Sequence, residues 1–79
     1  MIEFYVNSKE ARKIIRIRGY TQKELAEKIG MNPVYFNRLI MARIPIGVKS
    51  QKKIQLALPC VRFDLLFTCI DKPRKYDDN

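Results

Sequence analysis

The sequence predicts an all-α domain: a compact bundle of five helices around a helix-turn-helix, with room for a short strand at its N-terminus. Three observations carry that expectation. The stretch Thr21-Gln-Lys-Glu-Leu-Ala-Glu-Lys-Ile-Gly30, continuing into Met31-Asn-Pro-Val-Tyr-Phe-Asn-Arg-Leu39, reads as two short helices joined by a tight glycine turn. The segments on either side repeat their apolar residues at helical spacing. The chain has 79 residues, 47% of them hydrophobic, which suits one small core and is too apolar for a disordered polymer.

At the N-terminus, Ile2, Phe4 and Val6 alternate with Glu3 and Tyr5, a period of two that suits a strand. A strand this short is not stable alone. It either pairs between subunits or closes on residues 67–70. Asn7 with Glu10 three residues later forms a capping box and opens a first helix over about residues 8–18. Ala11, Ile14 and Ile15 give that helix its buried face, with Ile17 near its end; Lys9, Arg12, Lys13, Arg16 and Arg18 ring the rest, and Gly19 ends it.

Thr21 and Glu24 form a second capping box, and Leu25, Ala26 and Ile29 share one face of the helix that follows. The small side chain of Ala26 suits a close crossing of two helices. Gly30 stops the helix, because glycine reaches the left-handed conformation without a Cβ penalty. Asn32 caps the next helix and Pro33 fits its first turn, where the missing N–H had no partner. Phe36 and Leu39 face the core, leaving Val34, Tyr35, Asn37 and Arg38 directed elsewhere.

Pro45 and Gly47 make residues 41–49 a loop. Ser50 caps a fourth helix in which Ile54, Ala57 and Leu58 share a face, and Pro59 stops it. A fifth short helix follows over about residues 62–67. The domain spans residues 1–70, with the helix-turn-helix at about 21–40, and residues 71–79 form a polar, frayed tail.

Charge narrows the function. Sixteen Lys and Arg oppose eight Asp and Glu, giving +8, and each of residues 1–40 and 41–79 holds eight basic and four acidic side chains. The excess therefore belongs to the folded body, as a surface that tracks a nucleic-acid backbone requires. Without His, and with only Cys60 and Cys69, the chain offers neither a zinc site nor a disulfide scaffold; the two cysteines read as small, reduced apolar residues. No nucleophile with a neighbouring base, glycine-rich phosphate loop or cofactor motif is present, so an enzyme is not expected. No apolar run approaches the ~20 residues of a membrane span and no signal peptide is visible, so the expected location is the cytoplasm, with nucleoid association when bound.

The segment over residues 21–39 resembles the helix-turn-helix of the phage repressor and Cro family, also called xenobiotic-response-element-type regulators. Thr21, Gln22, Glu24, Leu25, Ala26, Ile29, Gly30, Phe36 and Leu39 match in type and spacing. The likeness extends more loosely over residues 8–68 and includes Phe63-Asp-Leu-Leu66, similar to the short last helix of that lambda-repressor-like fold. The resemblance implies that the second helix of the unit lies in the major groove with its N-terminal residues at the base edges. The base contacts it implies are Asn32, Val34, Tyr35, Asn37 and Arg38. Arg38 suits guanine O6 and N7, Asn37 or Asn32 suits adenine, and Val34 suits a thymine methyl. Asn32 reads more simply as a cap than as a base reader, and Tyr35 has packing on the core as its other reading. Phosphate contacts fall to Thr21 and Gln22 at the start of the first unit helix and to Arg43 and Lys49 beyond the second. Lys9, Arg12, Lys13 and Lys28 read as a solvated face.

The chain departs from the family pattern after the reading helix. Where many members carry Glu-Asn-Gly there, it has Ile40-Met41-Ala42, and an apolar contact between Ile15 and Ile40 is expected in place of an ion pair. The expected function is that of a sequence-specific regulator binding duplex DNA, a small phage- or plasmid-type repressor. It is expected to act as a homodimer through Phe63, Leu66, Phe67 and Ile70 or the N-terminal strand, with no cofactor, and with a regulatory protein as a further partner. The alternative is a protein-interaction module, antitoxin or adaptor, with an apolar patch around Val34, Tyr35, Ile40, Met41, Ile44 and Ile46.

Overall fold

A computed structural model describes residues 2–71; of the tail expected over residues 71–79, Asp71 belongs to a strand and residues 72–79 lie outside the described residues. Strand β1 (Ile2–Val6) leads into helices α1 (Ser8–Ile17), α2 (Gln22–Lys28), α3 (Pro33–Ile40), α4 (Val48–Ala57) and α5 (Phe63–Leu66), and the chain closes with strand β2 (Phe67–Asp71).

The all-α expectation is therefore corrected to a mixed α/β fold. β1 and β2 form a two-stranded antiparallel sheet, with Val6 opposite Phe67, Tyr5 opposite Thr68 and Glu3 opposite Ile70. Of the two fates left open for the N-terminal strand, closure within the chain is the one adopted. Asn7 N–H donates to the Leu66 carbonyl at 2.7 Å, so the ladder runs directly into the start of α1 and the end of α5. The run Phe67, Thr68, Cys69 and Ile70 suits a strand as well as Ile2–Val6 does. Each strand is marginal alone and is fixed by the other.

The core gathers residues from every element: Val6, Ala11, Ile15, Leu25, Ala26, Phe36, Leu39, Ile40, Ile46, Ile54, Leu58, Leu66 and Phe67 among them. Ile15 and Ile40 are both buried in this cluster. Ile17 instead stands on the surface. So do both cysteines, Cys60 and Cys69, which are free thiols.

Three consecutive helices end alike. After α1, the N–H groups of Gly19 and Tyr20 reach the Arg16 and Ile15 carbonyls; after α2, Gly30 and Met31 reach Glu27 and Ala26; after α3, Ala42 and Arg43 reach Leu39 and Arg38. This paired bonding is the Schellman arrangement, whose pivot lies in the left-handed region. The pivots have φ of +84° at Gly19, +71° at Gly30 and +59° at Ala42. The third helix thus uses the same stop without a glycine.

Two expected caps are absent. Asn7 is the N-cap of α1 by position but its side chain makes no cap hydrogen bond, and α4 starts two residues before Ser50, at Val48, with Gly47 in the cap position. The loop before α4 is anchored instead by Ile46, whose N–H donates to the Phe4 carbonyl at 2.7 Å. The buried Gln51 amide in turn donates to the Ile46 carbonyl at 3.0 Å.

Candidate nucleic-acid interface

Local chemistry positions the α2–turn–α3 unit. Thr21 Oγ1 accepts from Glu24 N–H at 3.1 Å while Glu24 Oε1 accepts from Thr21 N–H at 2.9 Å, the full reciprocal capping box. Leu25 and Ala26 are fully buried, and three residues, Ile29, Gly30 and Met31, turn the chain toward Asn32. Asn32 Oδ1 accepts from both Val34 N–H (2.8 Å) and Tyr35 N–H (3.2 Å), with Pro33 in the first turn.

Phe36, Leu39 and Ile40 pin one face of α3 into the core. The opposite face carries Val34, Tyr35, Asn37 and Arg38, all exposed. Four of the five side chains expected at base edges therefore share one accessible surface. Asn32 stands at its head, also exposed, but its carbonyl oxygen already holds two amide protons. A bidentate adenine pair needs that same acceptor and would cost the cap. Tyr35, 44% exposed, lies outside the buried core.

Gln22, the first residue of α2, has an unexpected partner. Asn37 Nδ2 donates to Gln22 Oε1 at 2.9 Å, a side-chain bridge from the outer face of α3 to the start of α2. Because the bridge uses the oxygen of Gln22, its amide N–H groups remain to serve an anion. No local pattern signals this pairing, which depends on how the two helices cross.

Arg43 follows the α3 stop and Lys49 lies in the first turn of α4; both are exposed. A cation in a first turn opposes the helix dipole, so Lys49 costs a little helix stability there while adding to the attraction for an anion. Thr21 is also exposed, though its hydroxyl is committed to the capping box.

The apolar patch expected around α3 is smaller in the structure. Ile40 and Ile46 are core residues, Met41 and Ile44 are half-buried, and Val34 and Tyr35 remain exposed. The expected dimer contacts are similarly reduced: Leu66 and Phe67 are buried in the chain's own core, while Phe63 and Ile70 stay exposed. Phe63 packs on this chain's own aromatic rings, 5.6 Å from Phe4 and 4.9 Å from Phe67 between centroids. Among the described residues, no helix is long and apolar enough to cross a membrane. Comparison with protein-family models, with curated proteins and with solved structures finds no match to this chain.

Proposed function

We propose that this protein binds duplex DNA in a sequence-specific manner through a helix-turn-helix, with α3 in the major groove, and acts as a small transcriptional regulator. The observation that carries the reading is the exposed row Val34, Tyr35, Asn37 and Arg38 on a helix whose other face is locked into the core. Such a row can reach base edges without unfolding anything. Arg38 supplies a guanine fork, Asn37 an adenine pair and Val34 a methyl contact, while Gln22, Arg43 and Lys49 hold the backbone.

The net charge of +8 favours this reading over a protein-docking module, because a docking surface has no need of a cation excess spread over both halves of the chain. Burial of Ile40 and Ile46 weakens the docking alternative further by removing two of its anchors. A homodimer on a pseudo-palindrome is part of the proposal, since two-fold regulators of this type place half-sites about one DNA turn apart.

Selection of bound duplexes from a random-sequence DNA pool at near-physiological salt tests the reading. A pseudo-palindromic consensus is the expected outcome. Recovery of no motif, with binding lost at modest salt, contradicts it.

A further inference from the structure

Two shallow clefts run along α1 and share a wall. The first, about 430 Å³, is lined by Arg12, Ile15, Arg16, Tyr20, Thr21 and Gln22. The second, about 500 Å³, is lined by Lys9, Arg12, Lys13, Arg16 and Ile17. Arg12 and Arg16 belong to both. They therefore share the first cleft with Gln22 and Thr21 and continue that corner of the helix-turn-helix into a cationic track along α1.

The track is expensive for a merely solvated face. Lys9 with Lys13, and Arg12 with Arg16, are like-charge pairs four residues apart, each of which destabilises a helix. Neither arginine forms an ion pair among the described residues; Arg12 donates only to the Ser8 carbonyl, at 3.4 Å. Tyr20 lines the first cleft. Lys28 hydrogen-bonds its hydroxyl, and the same ammonium lies 5.0 Å from the ring centroid. Unpaired guanidinium groups sharing a cleft with an amide donor match a line of phosphates, which guanidinium binds with charge-assisted hydrogen bonds.

We infer that Arg12 and Arg16 extend the DNA-backbone contact beyond the helix-turn-helix, binding phosphates next to the one met by Gln22, with Lys9 and Lys13 prolonging the track. The inference rests on the DNA-binding reading above. It differs from the sequence expectation, in which this face of α1 is only solvated.

The test is the salt dependence of binding to a random-sequence duplex of about 30 bp, where the logarithmic slope falls by about 0.9 for each phosphate the protein no longer neutralises. Wild-type protein is compared with the Arg12→Gln/Arg16→Gln double variant and with Lys52→Gln/Lys53→Gln, which removes the same charge from exposed positions of α4 outside both clefts. The expected result is a slope shallower by about 1.8 units in the arginine variant and a much smaller change in the lysine variant. An unchanged slope in the arginine variant, or equal changes in both variants, overturns the inference while leaving the DNA-binding reading intact. Failure of the wild-type protein to bind the duplex at low salt overturns both.

Discussion

Asn37 on the outer face of α3 donates a hydrogen bond to Gln22 at the first position of α2, across 2.9 Å. In the proposed DNA-binding reading the bridge joins a base-reading side chain to a phosphate-holding one, and the proposal therefore couples backbone docking to base reading. Both residues lie outside the core, and the bridge is expected to matter for binding rather than for folding.

That dependence is measurable. Gln22→Ala and Asn37→Ala should each weaken binding to the selected duplex, and the double variant should lose less than the sum of the two. The coupling expected for a hydrogen-bonded pair is about 0.5–1.5 kcal/mol. Additive losses in a binding titration contradict a working bridge.

Ala42 holds a left-handed stop that glycine fills after α1 and α2. Left-handed geometry costs a residue with a Cβ roughly 1–2 kcal/mol, and the extra chain entropy of glycine offsets about half of that. Ala42→Gly should therefore stabilise the fold by about 0.5–1 kcal/mol, raising Tm by several degrees on thermal unfolding. Gly30→Ala should shift it the other way by a similar amount; its Cβ would meet no atom within 4 Å, so only backbone strain acts. A fall in Tm for Ala42→Gly contradicts the account of this stop.

The caps make a paired prediction. Thr21→Ala removes a hydroxyl that accepts from Glu24 N–H and should cost about 1 kcal/mol in urea unfolding. Asn7→Ala removes a side chain that makes no cap hydrogen bond and should change stability by less than about 0.5 kcal/mol. Equal losses for the two variants contradict the difference between these helix starts.

This contrast marks where the sequence is legible. Thr21, Glu24, Gly30, Asn32 and Pro33 act on neighbours a few residues away, so their spacing alone places α2, the turn and α3. The sheet is another matter. Its N-terminal strand is legible from alternation, with residues 67–70 as one of two candidate partners. The strands lie at opposite ends of the described chain, however, and no local pattern chooses closure within the chain over pairing between subunits. The start of α4 departs from expectation for a related reason: Ser50 is a strong local cap, but Ile46 bound to Phe4 and Gln51 bound to Ile46 hold the chain so that the helix begins at Val48. Within the candidate interface, the exposed row on α3 can be read from periodicity. The Gln22–Asn37 bridge and the cleft that Arg12 and Arg16 share with Gln22 depend on helix packing and cannot.

Phe67 separates the two accounts of the C-terminal segment. As a subunit contact its loss would dissolve a dimer and leave the monomer's stability alone. As a core residue, 3% exposed and opposite Val6, its replacement by alanine should cost about 3–5 kcal/mol at any protein concentration. Leu65→Ala, at a residue 44% exposed, serves as the control and should cost far less. Denaturant titrations at two protein concentrations distinguish the outcomes; a loss seen only at the higher concentration, where a dimer would form, contradicts the core assignment.

The claim that α3 reads DNA is tested most directly by measuring affinity for every single-base substitution of the selected duplex, in wild type, Arg38→Ala and Arg43→Ala. The account predicts that Arg38→Ala loses discrimination at one base pair of each half-site, worth about 1–3 kcal/mol, and keeps the rest. Arg43→Ala should weaken binding to all sequences alike. If both variants lose affinity equally on every duplex, Arg38 touches only the backbone, and the major-groove reading by this face of α3 is contradicted.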